Sequence, residues 1–282
     1  MSLPEEYRKY LFPKFKDNNV RKSLGGKRYM HTVCEEAKCP NRGLCFSKGT
    51  ATFLIMGDIC TRNCSFCAIK KGFPLPLDER EIFEIEDTIR ELSLSYVVIT
   101  SVTRDDLEDG GAAYFDRIIK ELKKSFGDLK IEILVPDFKK DLKNLNNLDF
   151  SYIDVFNHNL ETVKELYPVV RKGASYDFSL KMLSFVKGKK IKTKSGIMVG
   201  LGETYQQISE LFYDLNSVGI DILTIGQYIS PSINHHKVMK YYSEEEFKEL
   251  KGMAMKAGIK HVVSGIFVRS SFEAFETFKR AI

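Results

Sequence analysis

From residue 51 onward the chain alternates short β-branched runs with longer amphipathic stretches, and this alternation limits the folds open to it. The strand candidates are "ATFLIM" (51–56), "YVVIT" (96–100), "KIEILV" (130–135), "YIDVF" (152–156), "TKSGIMV" (193–199) and "DILTIG" (221–226), with a shorter run, "HVVSG" (261–265), late in the chain. Apolar residues at helical spacing fill the gaps, as in Ile82, Ile85, Ile89 and Leu92, then Ile118, Ile119 and Leu122. Continuous apolar runs of this length, separated by helices, read as buried parallel strands in repeated βα units. About six such units make an α/β barrel, whole or partial, or a doubly wound sheet.

Polar, glycine-bearing segments follow the strand candidates: "SVTRDDLEDGG", "NHN", "GLGET" and "QYISPSINHH". In parallel α/β folds the ligand site lies beyond the carboxyl ends of the strands. Just after the first strand candidate, "CTRNCSFC" places Cys60, Cys64 and Cys67 at that same end. A second set, "CEEAKCPNRGLC", holds Cys34, Cys39 and Cys45, and the 215 residues after Cys67 contain no further cysteine.

Composition narrows what these thiols do. The 282 residues are 43% hydrophobic, enough for a large core without disulfide staples. The N-terminus, "MSLPEEYRKYLFPKFK", lacks the apolar region of a signal peptide, and no apolar run reaches transmembrane length. The expected compartment is the cytoplasm, where thiols stay reduced and clustered cysteines mean metal or catalysis. The net charge of +5 is spread over many lysines rather than gathered into a stripe, which argues against nucleic acid as a partner.

Structural zinc wants four ligands, usually on two closely spaced pairs. Here each set offers three thiols at unequal spacing, with only His31 nearby. Iron–sulfur clusters fit better: three thiolates anchor three irons of a cubane and leave the fourth open for chemistry. The C-x3-C-x2-C spacing, with Phe66 before the last cysteine, resembles the motif of the radical S-adenosylmethionine enzymes. In those enzymes the open iron chelates the amine and carboxylate of the methionine.

The other set, C-x4-C-x5-C from Cys34, is similar to the auxiliary-cluster motif of the lipoyl synthases. The likeness extends through "VVITSVTRDDLEDGGA", "FNHNLETV", "LYPVVRKGASY", "KSGIMVGLGET", "LTIGQYISPS" and the late "VRSSF". It implies a partial (β/α)6 TIM-type barrel over 51–258. An N-terminal extension (1–50) carrying the auxiliary motif and a C-terminal segment (259–282) would close its mouth, all as one structural unit. It also implies two 4Fe–4S clusters, one on Cys60, Cys64 and Cys67 and an auxiliary one on Cys34, Cys39, Cys45 and Ser271. Phe272 stands where the family has tyrosine, while the serine hydroxyl is retained. An oxygen donor is harder than thiolate and holds a cluster iron less firmly, which suits a cluster consumed as sulfur source.

The activity so implied is insertion of two sulfur atoms at C6 and C8 of a protein-bound octanoyl group, with S-adenosylmethionine as co-substrate. The implied partners are an octanoylated lipoyl carrier protein (the lipoyl domain of a 2-oxoacid dehydrogenase E2 or the glycine cleavage H protein) and an electron donor such as ferredoxin or flavodoxin, with no membrane. Alternatives are another radical sulfur-inserting enzyme, methylthiotransferase or biotin-synthase-like, or a non-catalytic zinc- or nucleic-acid-binding module.

The smaller signals are weighed against bland readings. Gly200 and Glu203 in "GLGET" suit an adenosyl contact or a simple turn into a helix, with Glu203 as a first-turn acid. Asn157, in "NHN", is a cofactor contact or part of an exposed loop. Arg171 is a carboxylate clamp or a surface arginine. His235 and His236 read as a solvated loop. Arg104, Lys237 and the segment Arg21 to Tyr29 are an acidic-partner surface or ordinary surface charge.

Overall fold

The computed structural model describes residues 4, 5, 7, 26–37, 39, 41 and 52–281. Cys45 and most of the N-terminal extension lie outside these residues. The chain divides into two compact units, one of Glu5–Arg62 with Ala68–Asp154, the other of Met1–Pro4, Asn63–Cys67 and Val155–Ile282.

In the first unit, β1 (His31–Thr32) lies antiparallel to β2 (Thr52–Ile55). Parallel pairing then runs from β2 to β5 (Tyr96–Ser101) and from β5 to β6 (Lys130–Leu134). A separate parallel ribbon joins β3 (Ile59–Cys60) to β4 (Lys70–Lys71). Helix α1 is the single turn Val33–Glu36, and α2 (Arg80–Leu92) and α3 (Ala112–Ser125) are the long ones. Each long helix buries one stripe: Ile82, Ile85 and Ile89 on α2, and Phe115, Ile118, Ile119 and Leu122 on α3. That spacing puts these side chains on one helical face, which packs as core while charged residues hold the other.

In the second unit, β7 (Val155–Asn157), β8 (Lys192–Val199), β9 (Ile222–Gln227) and β10 (His261–Gly265) pair in that order, all parallel. The helices are α4 (Tyr167–Val170), α5 (Tyr176–Lys187), α6 (Tyr205–Ser217), α7 (Glu244–Lys256) and α8 (Ala274–Ala281). Three of them start where a hydroxyl takes an otherwise unpaired first-turn N–H: Ser175 from Phe178, Thr204 from Gln207 and Ser243 from Glu246. The last two are reciprocal capping boxes.

The seven strand readings all correspond to strands, but the fourth starts late. The Asp149 side chain accepts from the Ser151 amide and folds Phe150–Tyr152 into a 3-10 turn, so the strand opens at Val155 instead of Tyr152. Local side-chain capping wins over β propensity there. The edge strand β1 and the β3–β4 ribbon are too short to leave a periodic signal. Among the described residues no helix is long and apolar enough to cross a membrane.

Two strand glycines shape the second unit. A Cβ on Gly226, in β9, would lie 2.0 Å from the Val268 carbonyl oxygen. A Cβ on Gly196, in β8, would lie 2.6 Å from Thr224 Oγ1, 2.7 Å from Ser270 Oγ and 2.9 Å from Asn159 Oδ1. Glycine inside a strand often marks close approach by another backbone, and here the approaching chain is Val268–Ser270. Gly226→Ala forces a methyl group into a backbone carbonyl and is expected to destabilise the protein by about 2 kcal/mol. Urea unfolding measures this; an unchanged midpoint with an unchanged slope would contradict the packing.

Candidate functional site

Residues 60–67 begin at the end of β3, and the Gly72 amide donates back to the Cys60 carbonyl at 3.1 Å, closing the loop beside the β3–β4 ribbon. Cys60 Sγ accepts two backbone N–H bonds, from Thr103 at 3.3 Å and Arg62 at 3.4 Å. The Thr61 amide and hydroxyl both donate to the Thr103 carbonyl, at 3.0 and 2.9 Å. Arg62 forks onto two carboxylates, Asp105 at 2.8 Å and Asp137 at 2.6 Å. Burial alone would lower the Arg62 pKa, but these two aspartates more than offset it and raise it.

In the other unit, the Ser65 amide and hydroxyl donate to the Val170 carbonyl at 3.0 and 3.3 Å, at the end of α4. Phe66 packs against Val170, Leu201 and Tyr228, with Leu166, Met198 and Val238 around them. The aromatic that helped identify the motif thus serves to seat the loop. His236, read from sequence as part of a solvated loop, is half-buried and structural. Its amide donates to the Ser65 carbonyl at 2.9 Å, and its Nε2 lies 2.8 Å from the Leu201 carbonyl. Nε2 must carry the proton to donate there. His235 instead bonds Ser232 Oγ through Nδ1 at 2.8 Å, so the adjacent histidines do not form a metal pair.

Gly200 sits at φ 99°, and a Cβ on it would lie 2.3 Å from Gln227 Nε2 and 2.5 Å from the Lys240 carbonyl oxygen. The Glu203 carboxylate accepts from the Gly200 and Leu201 amides, at 2.6 and 2.9 Å, and from the Tyr242 hydroxyl at 3.1 Å. Its first task is to hold its own turn.

"NHN" is not an exposed loop: Asn157, His158 and Asn159 are all buried. His158 Nε2 lies 2.9 Å from Ser179 Oγ, and Asn159 donates to Glu161 at 3.0 Å while accepting from Ser270 Oγ at 2.7 Å. Arg171 is not a solvated surface arginine either. Its guanidinium donates to the Tyr167 hydroxyl at 2.9 Å and Ser179 Oγ at 3.3 Å. Burial opposes its charge, but Tyr167, Glu161 and the Cys64 sulfur outweigh that and raise its pKa. The Glu161 carboxyl is itself pushed up by burial, against the pull of Arg171, the Asn159 amide and Arg269. Arg104, considered as a surface cation, is only 2% exposed and binds Asp106 at 2.8 Å and the Met56 carbonyl at 3.1 Å. Its bonds fix a turn and leave no charge to offer a partner.

In the auxiliary motif, Cys34 is buried on α1, and the Cys39 amide donates to the Cys34 carbonyl at 3.2 Å. Burial, with the neighbouring Cys39 thiol adding to it, pushes the Cys34 thiol up to about 12. A thiolate there needs a cation to form, as a cluster iron would provide. The described cysteines are thiols rather than disulfides. The described cysteines of both sets therefore have the donor chemistry for iron–sulfur ligation. Ser271 is half-buried just past Ser270, whose hydroxyl is engaged by Asn159.

Sequence reasoning overlooked Asp105 and Asp137 and took His236 for a solvated residue. "TRDD" after a strand was a signal for the first. No local pattern marks the side chain of Asp137 or His236, whose partners Arg62 and Leu201 are more than thirty residues away in sequence.

Comparison with known proteins agrees with this chemistry. Residues 54–215 match the family model of the Radical SAM superfamily. Among curated relatives, lipoyl synthase of Caldicellulosiruptor saccharolyticus is 51% identical over 89% of this chain and 88% of its own length. Lipoyl synthase of Aquifex aeolicus is 48% identical over 91% of this chain and 94% of its own. Among solved structures, methylornithine synthase superposes with a TM-score of 0.54 at 17% identity, covering 89% of this chain and 82% of that one. Streptococcus suis SuiB bound to S-adenosylmethionine gives a TM-score of 0.55 at 15% identity, over 80% of this chain and 53% of that one. These structural likenesses concern the fold, a partial TIM-type α/β barrel. The chain belongs to the lipoyl synthase family of the Radical SAM superfamily.

Proposed function

We propose that this chain inserts two sulfur atoms, at C6 and C8, into an octanoyl group amide-linked to a lysine of a lipoyl carrier protein. What carries the reading is about 50% identity to lipoyl synthases along nearly the whole chain, joined to two intact cysteine triplets. The carrier is a lipoyl domain of a 2-oxoacid dehydrogenase or a glycine cleavage H protein, the reductant a ferredoxin or flavodoxin, and the setting the cytoplasm. When bound, a 4Fe–4S cluster with S-adenosylmethionine supplies one-electron cleavage of carbon–hydrogen bonds too strong for acid–base chemistry, and an auxiliary 4Fe–4S cluster supplies sulfur.

In this reading Cys60, Cys64 and Cys67 hold the first cluster. The two amides on Cys60 Sγ and the packing of Phe66 fix the loop that presents them. The turn Gly200–Glu203 and the buried Asn157 and Arg171 form the S-adenosylmethionine side of the site. The Glu203 carboxylate keeps the turn closed through the Gly200 and Leu201 amides. Cys34, Cys39, Cys45 and Ser271 hold the auxiliary cluster. Ser271 is the hydroxyl that the family resemblance implies, and Ser270 donates to Asn159. The extension up to residue 50, the barrel over 51–258 and the tail from 259 divide these tasks. The protein's contribution is positional: it holds the two target carbons near the sulfur source and keeps water away.

One anaerobic reaction tests this. Reconstituted protein, dithionite, S-adenosylmethionine and an octanoyl-lysine peptide are combined, and mass spectrometry follows the peptide and 5′-deoxyadenosine together. The expected result is a peptide bearing two added sulfur atoms, with two deoxyadenosines for each. Deoxyadenosine without sulfur insertion would overturn the substrate assignment.

A further inference from the structure

The best-anchored side chain of the cysteine loop is not a cysteine. Arg62 lies between Cys60 and Cys64, and its guanidinium makes four hydrogen bonds of 2.6–2.8 Å to Asp105 and Asp137. Asp105 follows β5 and Asp137 follows β6, so both anchors sit at carboxyl ends of parallel strands. The Asp137 side chain is 1% exposed and that of Arg62 is 11% exposed. Only a planar fork can satisfy two carboxylates in this way; a lysine offers a point charge. Asp105 is tied in turn to Thr61: its amide donates to Thr61 Oγ1 at 3.1 Å, and that hydroxyl lies 3.3 Å from Asp105 Oδ2.

This clamp has a consequence at sulfur. Fixing the guanidinium fixes the Arg62 backbone, whose own N–H donates to Cys60 Sγ. Fixing Thr61 on Thr103 and Asp105 holds that strand end in register, so that the Thr103 N–H meets the same sulfur. Hydrogen bonds to a cluster's sulfurs, with nearby charge, set its reduction potential. We propose that Arg62 is a positioning residue that raises the reduction potential of the cluster on Cys60, Cys64 and Cys67 by holding two backbone N–H groups on Cys60 Sγ through its fork onto Asp105 and Asp137. The proposal rests on the assignment of that cluster to these three cysteines.

The test is a redox titration of the reconstituted full-length protein by electron paramagnetic resonance, with and without S-adenosylmethionine. The component whose signal responds to S-adenosylmethionine belongs to this cluster. Arg62→Lys keeps the positive charge but not the fork, and Asp105→Asn removes a negative charge while loosening the same fork. Simple through-space electrostatics predicts no shift for the first and an upward shift for the second. The clamp predicts a midpoint shifted to more negative potential in both, with correspondingly less cluster reduced at a fixed potential. An unshifted Arg62→Lys or an upward shift in Asp105→Asn would overturn it. If Arg62→Lys assembles no such cluster, the sign of the Asp105→Asn shift decides alone. Absence of any S-adenosylmethionine-responsive signal in the unsubstituted protein would instead refute the cluster assignment, and the proposal with it.

Discussion

The C-terminal tail can lie against its sheet only because two strand positions carry no side chain. At Gly226 the Val268 carbonyl approaches closer than any Cβ allows, and at Gly196 the gap is taken up by hydroxyls of Thr224 and Ser270 with the Asn159 amide oxygen. That seating sets the surroundings of the two serines. Ser270 is drawn into a bond with Asn159, which also donates to Glu161, so the first serine of the pair becomes part of a buried polar network. Ser271, the next residue, is half-buried. The burial that raises Glu161 is tolerated because Arg171, Asn159 and Arg269 surround it.

The cysteine loop follows a complementary rule. The placement of its thiols is set by groups around them. Arg62 and Thr61 pin the Cys60 end through aspartates and carbonyls at strand ends. Ser65, Phe66 and His236 pin the stretch from Cys64 to Cys67 through the α4 carboxyl end, an apolar patch and the Leu201 carbonyl. A loop prearranged in this way gives up less entropy on binding a ligand.

Much of this was legible in the sequence because the signals were local. Parallel strands buried on both faces leave apolar runs, and three of the thiols fall within eight residues. The exceptions each depend on at least one partner that is distant in sequence. Nothing local to Gly196, within its strand reading, marks the approach of Ser270. His236 reads as solvated until Leu201 and Ser65 close around it, and Arg104 as surface charge until Asp106 and the Met56 carbonyl are found to bury it. The late start of β7 is different: Asp149 overrides a β-prone run by a hydrogen bond two residues on, a competition that composition alone does not resolve.

The division of labour between the two serines is the claim on which the account of the tail stands. Mössbauer spectroscopy of iron-57-reconstituted Ser270→Ala and Ser271→Ala tests it most directly, because it distinguishes an iron with an oxygen ligand from those bound through thiolate. Ser271→Ala is predicted to change one iron site of the auxiliary cluster and leave the S-adenosylmethionine-responsive cluster intact, whereas Ser270→Ala retains the oxygen-ligated iron. The reverse pattern, or two unaltered spectra, would contradict it.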